Sequence, residues 1–421
     1  MSKQITRRSL LVGAGVAGAG AALAGGGYML KTTQDATAAP DPAAKNSNPV
    51  IPFYGVHQPG IVTSAQEHLH FAAFDLLTND RMQVRGLLQI WSNAAATMMA
   101  GQALGAGDTP PHAPPADTGE ALGHTAERLT VTIGFGPTLF TLNGKDRYGL
   151  ADRRPEALID IPPMAGDALQ PERSGGDLCV QACSDNPQVA FHAVRNLTRL
   201  ARGLAVMRWS QLGFNRTAST SKGQATPRNL MGFKDGTNNL KAEDTDLMDK
   251  HVWVGSNSQP DWMCGGSYLV ARRIRMHLES WDRDYLADQE RVIGRHKISG
   301  APLGSKNEFD PVNLNAKDKD GAPLIDQNAH IGLAIGDGSI KILRRGYSFT
   351  DGTNSQTGEL EAGLFFIAFQ RDPRAQFVPL QTRLAQNDLL NEYITHTGSA
   401  IFACPPGASR GGFIGETLFT R

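Results

Sequence analysis

The chain lacks a dominant charge: 41 Lys and Arg stand against 41 Asp and Glu in 421 residues. Such a balance offers no field for nucleic acid or an anionic membrane surface, so neither is an expected partner. Cysteine is also scarce, with Cys179, Cys183, Cys264 and Cys404 making up the whole set. Four thiols are a poor disulfide framework for a chain of this size. Asp177 to Cys183 alternates like a strand, which puts Cys179 and Cys183 on one face about 13 Å apart, beyond disulfide reach. These cysteines are expected to be buried and inert.

Strong hydrophobicity is missing even where an apolar run exists. Thr6-Arg7-Arg8-Ser9-Leu10-Leu11 is a twin-arginine pattern, followed by a Gly/Ala-rich stretch to about Leu30 and small residues at Ala36 and Ala38. That run is mild for a membrane anchor, so residues 1–39 are expected to be a cleaved export signal that leaves no stable membrane span. The twin-arginine route carries proteins already folded, which suits one that acquires a cofactor before export and points to a periplasmic or other extracytoplasmic location. Residues 40–54 read as a linker.

The rest is long enough for two modest domains. Alternation predicts a strand over Glu67–Leu76, with His68, His70, Ala72 and Phe74 on one side and Leu69, Phe71 and Ala73 on the other. His68-x-His70 has metal-ligand spacing but no third ligand nearby, and a polar strand face explains it better. A helix is expected over Arg81–Leu104, a loop over Gly105–Thr125, strands over Leu129–Phe140 and Leu178–Ser184, a helix over Pro187–Arg202 and a strand over Ala205–Phe214. Strand, helix, strand, strand, helix, strand is the split βαβ, ferredoxin-like order. The second half repeats it, with strands at Ser267–His277, Ser339–Leu343, Gly363–Gln370 and Ala400–Cys404 and helices at Leu278–Arg291 and Leu380–Tyr393. Leu364–Gln370 is apolar on both faces, as a buried central strand is. The fold class is therefore α+β, with two ferredoxin-like domains over 55–215 and 216–421.

The chemistry concentrates in the second half. Asn229-Leu230-Met231-Gly232-Phe233-Lys234-Asp235-Gly236-Thr237-Asn238-Asn239 brackets one acid between two glycines, as an irregular loop holding a carboxylate at a fixed angle does. About a hundred residues later come Asn328-Ala329-His330-Ile331-Gly332 and then Leu343-Arg344-Arg345-Gly346-Tyr347-Ser348. Together with Gly55-Val56-His57-Gln58-Pro59-Gly60-Ile61, these motifs in this order resemble the dye-decolorising (DyP) peroxidase family. The branch resembled is the exported EfeB type, called deferrochelatase/peroxidase, and the likeness runs from about Gly55 to the C-terminus.

The resemblance implies the dimeric α+β barrel arrangement, with haem b (iron protoporphyrin IX) in the C-terminal domain. It implies His330 as the axial ligand of the haem iron, and Asp235 and Arg344 as the catalytic pair on the opposite face. A haem peroxidase needs a neutral imidazole on iron, a base facing it and a cation to draw electrons toward the departing oxygen. A carboxylate stays ionised at acidities that protonate histidine, so an acidic optimum is expected. Gly236, Thr237 and Asn238 are placed at the haem edge by the resemblance; Leu364 and Phe366, on one face of the strand, suit distal-pocket lining, and ordinary core packing explains them equally well. Arg345, next along a strand, is expected to point away from Arg344.

The implied substrates are hydrogen peroxide and organic one-electron donors such as dyes and phenols, or haem itself. Release of iron from haem with the tetrapyrrole intact, within an iron-uptake system, is the alternative activity. A non-catalytic haem carrier is the alternative from another class, and the retained Asp235 and Arg344 argue against it. A homodimer is among the implied assemblies. The sequence departs from the branch after the histidine: Ile-Gly-Leu-Ala-Ile-Gly-Asp-Gly replaces a run whose two arginines would meet the haem propionates.

Overall fold

The computed structural model describes residues 49–105 and 111–420; the expected signal over 1–39 and linker residues 40–48 lie outside the described residues. The first half runs β1 (His68–Leu76), α1 (Arg81–Met99), β2 (Thr130–Phe135), β3 (Leu178–Ser184), α2 (Pro187–Leu200) and β4 (Ala205–Arg216). The second half contributes β5 (Ser267–Met276), α3 (Leu286–Ile293), α4 (His330–Ile335), β6 (Leu343–Arg344), β7 (Tyr347–Thr353), β8 (Leu360–Gln370), α5 (Phe377–Asn387) and β9 (Ile394–Cys404).

Each half forms an antiparallel sheet in ferredoxin-like order, β2-β3-β1-β4 and β9-β5-β8-β7. Two seams join them: Ala403↔Phe135 links β9 to β2, while Phe214↔Ser348 and Arg216↔Tyr347 link β4 to β7. The eight long strands therefore close into a barrel, which removes the free edges that two separate sheets would expose. Short β6 pairs with β8 beside β7.

Strand alternation sorts the side chains. Leu69, Phe71 and Ala73 of β1 join Phe365, Ile367, Phe402 and Cys404 inside the barrel. Ala72 and Phe74 point outward under α1 and α2, against Trp91, Leu87 and Leu197. α1 starts at Asp80, whose side chain accepts from Met82 N at 2.7 Å, and α2 at Asn186 followed by Pro187; both are favoured helix openings. Nine residues of α1 are buried, including Trp91, whose Nε1 donates to Leu197 O at 2.8 Å.

Some predicted elements change where local chemistry overrides periodicity. The strand expected to Phe140 stops at Phe135, because Gly136-Pro137 starts a short helix, Pro137–Phe140. The helix expected over Leu278–Arg291 breaks into Leu278–Trp281 and α3, and Gln289 Nε2 donates to the freed Trp281 carbonyl at 2.7 Å. Ser339 is in a turn, its N donating to Asp337 Oδ1 at 3.0 Å, so pairing begins only at Leu343. The helix expected to Tyr393 ends at Asn387, where Asp388 caps a separate turn, Leu389–Glu392.

All four cysteines are free, three of them buried and Cys264 half-buried. Burial pushes the Cys179 and Cys404 thiols well up, as expected for inert groups. His70 is buried, stacked on Phe191 at 5.7 Å, and burial lowers its pKa to about 4. Among the described residues no group of three His, Cys, Asp or Glu side chains is arranged to hold a metal ion.

Candidate functional site

The Asp235 loop is built by its neighbours in sequence. Asn229 Oδ1 accepts from Met231 N at 3.1 Å and Phe233 N at 3.3 Å, folding the chain back on itself, and Asp235 N donates to Pro227 O at 2.9 Å. Gly236 adopts φ +84°, and a Cβ there would lie 2.8 Å from Ala218 Cα. Only glycine fits both constraints. The turn aims Asp235 at Arg344, whose Nη1 donates to Asp235 Oδ1 at 2.7 Å.

Arg344 is held from behind. Asn239 accepts from Arg344 N with Oδ1 at 2.8 Å and donates through Nδ2 to Arg344 O at 2.8 Å. Its Nδ2 also reaches Ser219 O at 3.0 Å. Asn239 thereby fixes the strand that presents the guanidinium, leaving the Arg344 side chain 31 % exposed and Asp235 15 % exposed. Arg345 points the other way, fully buried and bonded to Thr63 O and Gln66 Oε1.

Glu308 braces the acid loop from outside. It accepts from Thr237 Oγ1 at 3.0 Å and from Lys234 Nζ, one residue on each side of the Asp235-Gly236 step. Thr237 is thus engaged by Glu308, and Asn238 is exposed.

His330 opens α4, and its Nδ1 donates to Asp388 Oδ2 at 2.6 Å. Asp388 is almost fully buried, and its other oxygen accepts from Leu390 N at 2.9 Å. A carboxylate can only accept from the imidazole, so the proton sits on Nδ1 and Nε2 keeps a free lone pair. That is the tautomer a metal needs. Burial pulls the His330 pKa down, but the charge and hydrogen bond of Asp388 more than reverse it. Asp235 adds to the rise and Arg344 opposes it, so the three predicted side chains feel one another's charge.

Leu364 and Phe366 lie on the outer face of β8 and are only half-buried, while Phe365 and Ile367 between and beyond them fill the barrel. Leu364 packs against the Phe233, Trp281 and Tyr393 cluster, and Phe366 against Phe377 at 6.2 Å. α5 alongside buries only Phe377 and Gln381, leaving apolar Leu380 and Leu384 half-buried. A cation reaches the altered run after His330: Arg383 of α5 donates Nε to Leu333 O at 2.6 Å.

The structure therefore brings Asp235, Arg344 and His330 within electrostatic reach of one another, with Gly236 next to the acid and Leu364 packed against the cluster that contains Phe233 of the same loop. Asp388 and Glu308 are supporting residues that lie outside the motifs, and Asn239 closes the acid-loop motif with a role the sequence did not reveal. An Asp just before an apolar turn is a capping signal, the one mark that Asp388 carried in the sequence.

Residues 58–215 match the Dyp-type peroxidase N-terminal family model, and residues 226–409 the C-terminal one. A dye-decolorizing peroxidase of Thermobifida fusca is 38% identical over 436 residues, covering 99% of this chain and 97% of the relative. A deferrochelatase of Escherichia coli O157:H7 is 37% identical, covering 96% and 94%. Among solved structures, ferric DtpA from Streptomyces lividans matches with a TM-score of 0.81 at 39% identity, covering 90% of this chain and 99% of that one. Both domain models lie side by side along nearly the whole described chain, and the chain accordingly belongs to the Dyp-type peroxidase family.

Proposed function

We propose that the chain is a haem peroxidase that reduces hydrogen peroxide and oxidises organic donors by single electrons, with His330 as the residue that would hold the haem iron. One observation carries this reading: a buried carboxylate orients His330 with Nε2 free, within electrostatic reach of an ion-paired Asp235 and Arg344. The residues present fit the cofactor. His330 is 34 % exposed although its partner is buried, and Leu364, Phe366, Leu380 and Leu384 are apolar side chains that protein atoms only half cover. An apolar macrocycle with a polar edge would complete that surface.

Haem, when bound, would supply the redox-active iron needed for peroxide reduction and single-electron oxidation of donors. Asp235 acts as the acid/base, taking a proton from one peroxide oxygen and delivering it to the other, which leaves as water. Arg344 stabilises the negative charge that develops as the O–O bond breaks, and its pairing holds the carboxylate in place. Asn239 and Glu308 keep the pair aligned from the strand and loop sides. Gly236 permits close approach to the cofactor edge; Thr237 and Asn238, engaged and exposed respectively, would serve through their backbone.

Iron release from haem is the second activity of this reading, favoured by the likeness to a deferrochelatase. Export by the twin-arginine route to an extracytoplasmic compartment, iron-uptake partners, a homodimer and the domain limits 55–215 and 216–421 belong to the same proposal. The test is rapid mixing of the haem-loaded chain with peroxide. An Asp235→Asn, Arg344→Leu double variant that retains haem should lose the fast spectral change; an unchanged rate would point instead to a haem carrier. Metal-free protoporphyrin fluorescence under anaerobic incubation with haem reads out iron release.

A further inference from the structure

A second recess lies at the seam between the halves, on the barrel side of β8. β4 and β7 pair only through Phe214↔Ser348 and Arg216↔Tyr347. Toward Trp209 and Asp351 the strands part around a recess of about 460 Å³, within the size range of small-molecule sites. Phe365 lines it, and the alternation of β8 turns Leu364 and Phe366 to the opposite face. The recess is therefore separate from the region around His330.

Trp209 supplies a flat wall. Trp91, Trp253, Trp262 and Trp281 are buried, whereas Trp209 is half-buried. Its Nε1 donates to Gly175 O at 2.9 Å, and its ring stacks on Phe71 at 5.2 Å with planes 16° apart. The indole is thus fixed in one orientation before any ligand arrives, which limits the ordering cost of binding.

Apart from Glu172, which is exposed at the rim, the charges around the recess are already matched. Arg273, 3 % exposed, pairs with Asp351 Oδ2 at 2.8 Å and Glu361 at 2.9 Å, and its Nε donates to Gln211 Oε1 at 3.0 Å. Asp351 also takes Arg173 Nη1 at 3.2 Å and Gln211 Nε2 at 3.1 Å. A charged ligand would find no buried partner without displacing one member of this network and leaving the other unpaired, which is strongly unfavourable; a pair with the exposed Glu172 would contribute little. A neutral planar ring can stack on Trp209 and offer a hydroxyl to the remaining lone pairs of Asp351 or Gln211.

We propose that this recess binds a small neutral aromatic molecule of the phenol class, lying against Trp209 with its hydroxyl toward Asp351. The proposal stands apart from the haem reading, because none of its groups belongs to the Asp235, Arg344 and His330 set.

The test is calorimetric titration of methyl 4-hydroxybenzoate into the full haem-loaded chain without peroxide. One site is expected. Trp209→Ala should weaken it at least tenfold and Trp209→Phe less, since a ring remains. Thr350→Trp fills the recess from an exposed position and removes no internal contact, so it should abolish binding in a chain with an unchanged melting temperature. The Soret band of the bound haem should not move as the probe is added. Absence of binding at millimolar probe, or affinity untouched by Thr350→Trp, overturns the proposal. A Soret shift that tracks binding overturns it too, by placing the probe at the other site.

Discussion

The two halves of the barrel share one strand order but cover their outer faces differently. In the first half, α1 and α2 seal the sheet, and α1 alone buries nine side chains. In the second, the place of a long first helix is taken by Leu278–Trp281, short α3 and a loop that runs to His330, while α5 buries two. The lesson is that an open α+β sheet becomes a site where helical cover is thinned. β8 keeps its inner residues, Phe365 and Ile367, as packed as any in the first half, yet its outer Leu364 and Phe366 remain half-buried.

That contrast can be broken experimentally, and the largest effect should come from His330. His330→Ala is expected to abolish the Soret absorption of bound haem while circular dichroism stays native; retained haem would contradict the assignment. Asp388→Asn leaves the imidazole but loosens its orientation, and should cost 10- to 100-fold in haem affinity, measured by haem transfer to an acceptor protein.

Asp235→Asn should keep haem and slow the reaction with peroxide by about 10²–10⁴-fold in rapid-mixing kinetics. The mirror experiment is in the sealed half. Trp91→Ala should lower unfolding free energy by about 3–5 kcal/mol in denaturant titrations and leave the spectrum of the folded fraction unchanged. A spectral change there would mean that the halves do not divide stability and chemistry as described.

The smallest effect concerns pH. Burial lowers the His70 pKa to about 4, whereas an unfolded histidine titrates near 6.5. Below the unfolded value, only the unfolded chain takes up this proton until the folded pKa is reached, so stability falls as pH falls across that window. His396 behaves alike, lowered to about 3 by burial and the nearby Arg272. Each contributes about 1.4 kcal/mol per pH unit. Unfolding at pH 7.5 and 5.5 should differ by about 1 kcal/mol less in His70→Gln than in the parent chain; an equal difference would show His70 titrating normally.

Much of this architecture was legible in the sequence because alternation is a local signal. Leu69, Phe71 and Ala73 inside and Ala72 and Phe74 outside could be read from β1 by itself. Closure of the barrel could not, since the β9–β2 seam is one residue pair, Ala403↔Phe135. Asp235, Arg344 and His330 were legible as motifs, but Asn239 and Glu308 act through backbone and loop contacts across long stretches of chain. Where Gly136-Pro137 and Asp337-Ser339 dictated a turn, side-chain chemistry overrode the expected strand.

The most direct test is a crystal structure of the haem-loaded chain. It should show His330 Nε2 on the iron, the macrocycle between the outer face of β8 and α5, and Asp235 with Arg344 over the opposite face. Iron held by any other side chain, or a macrocycle lodged against the sealed half, would contradict the account.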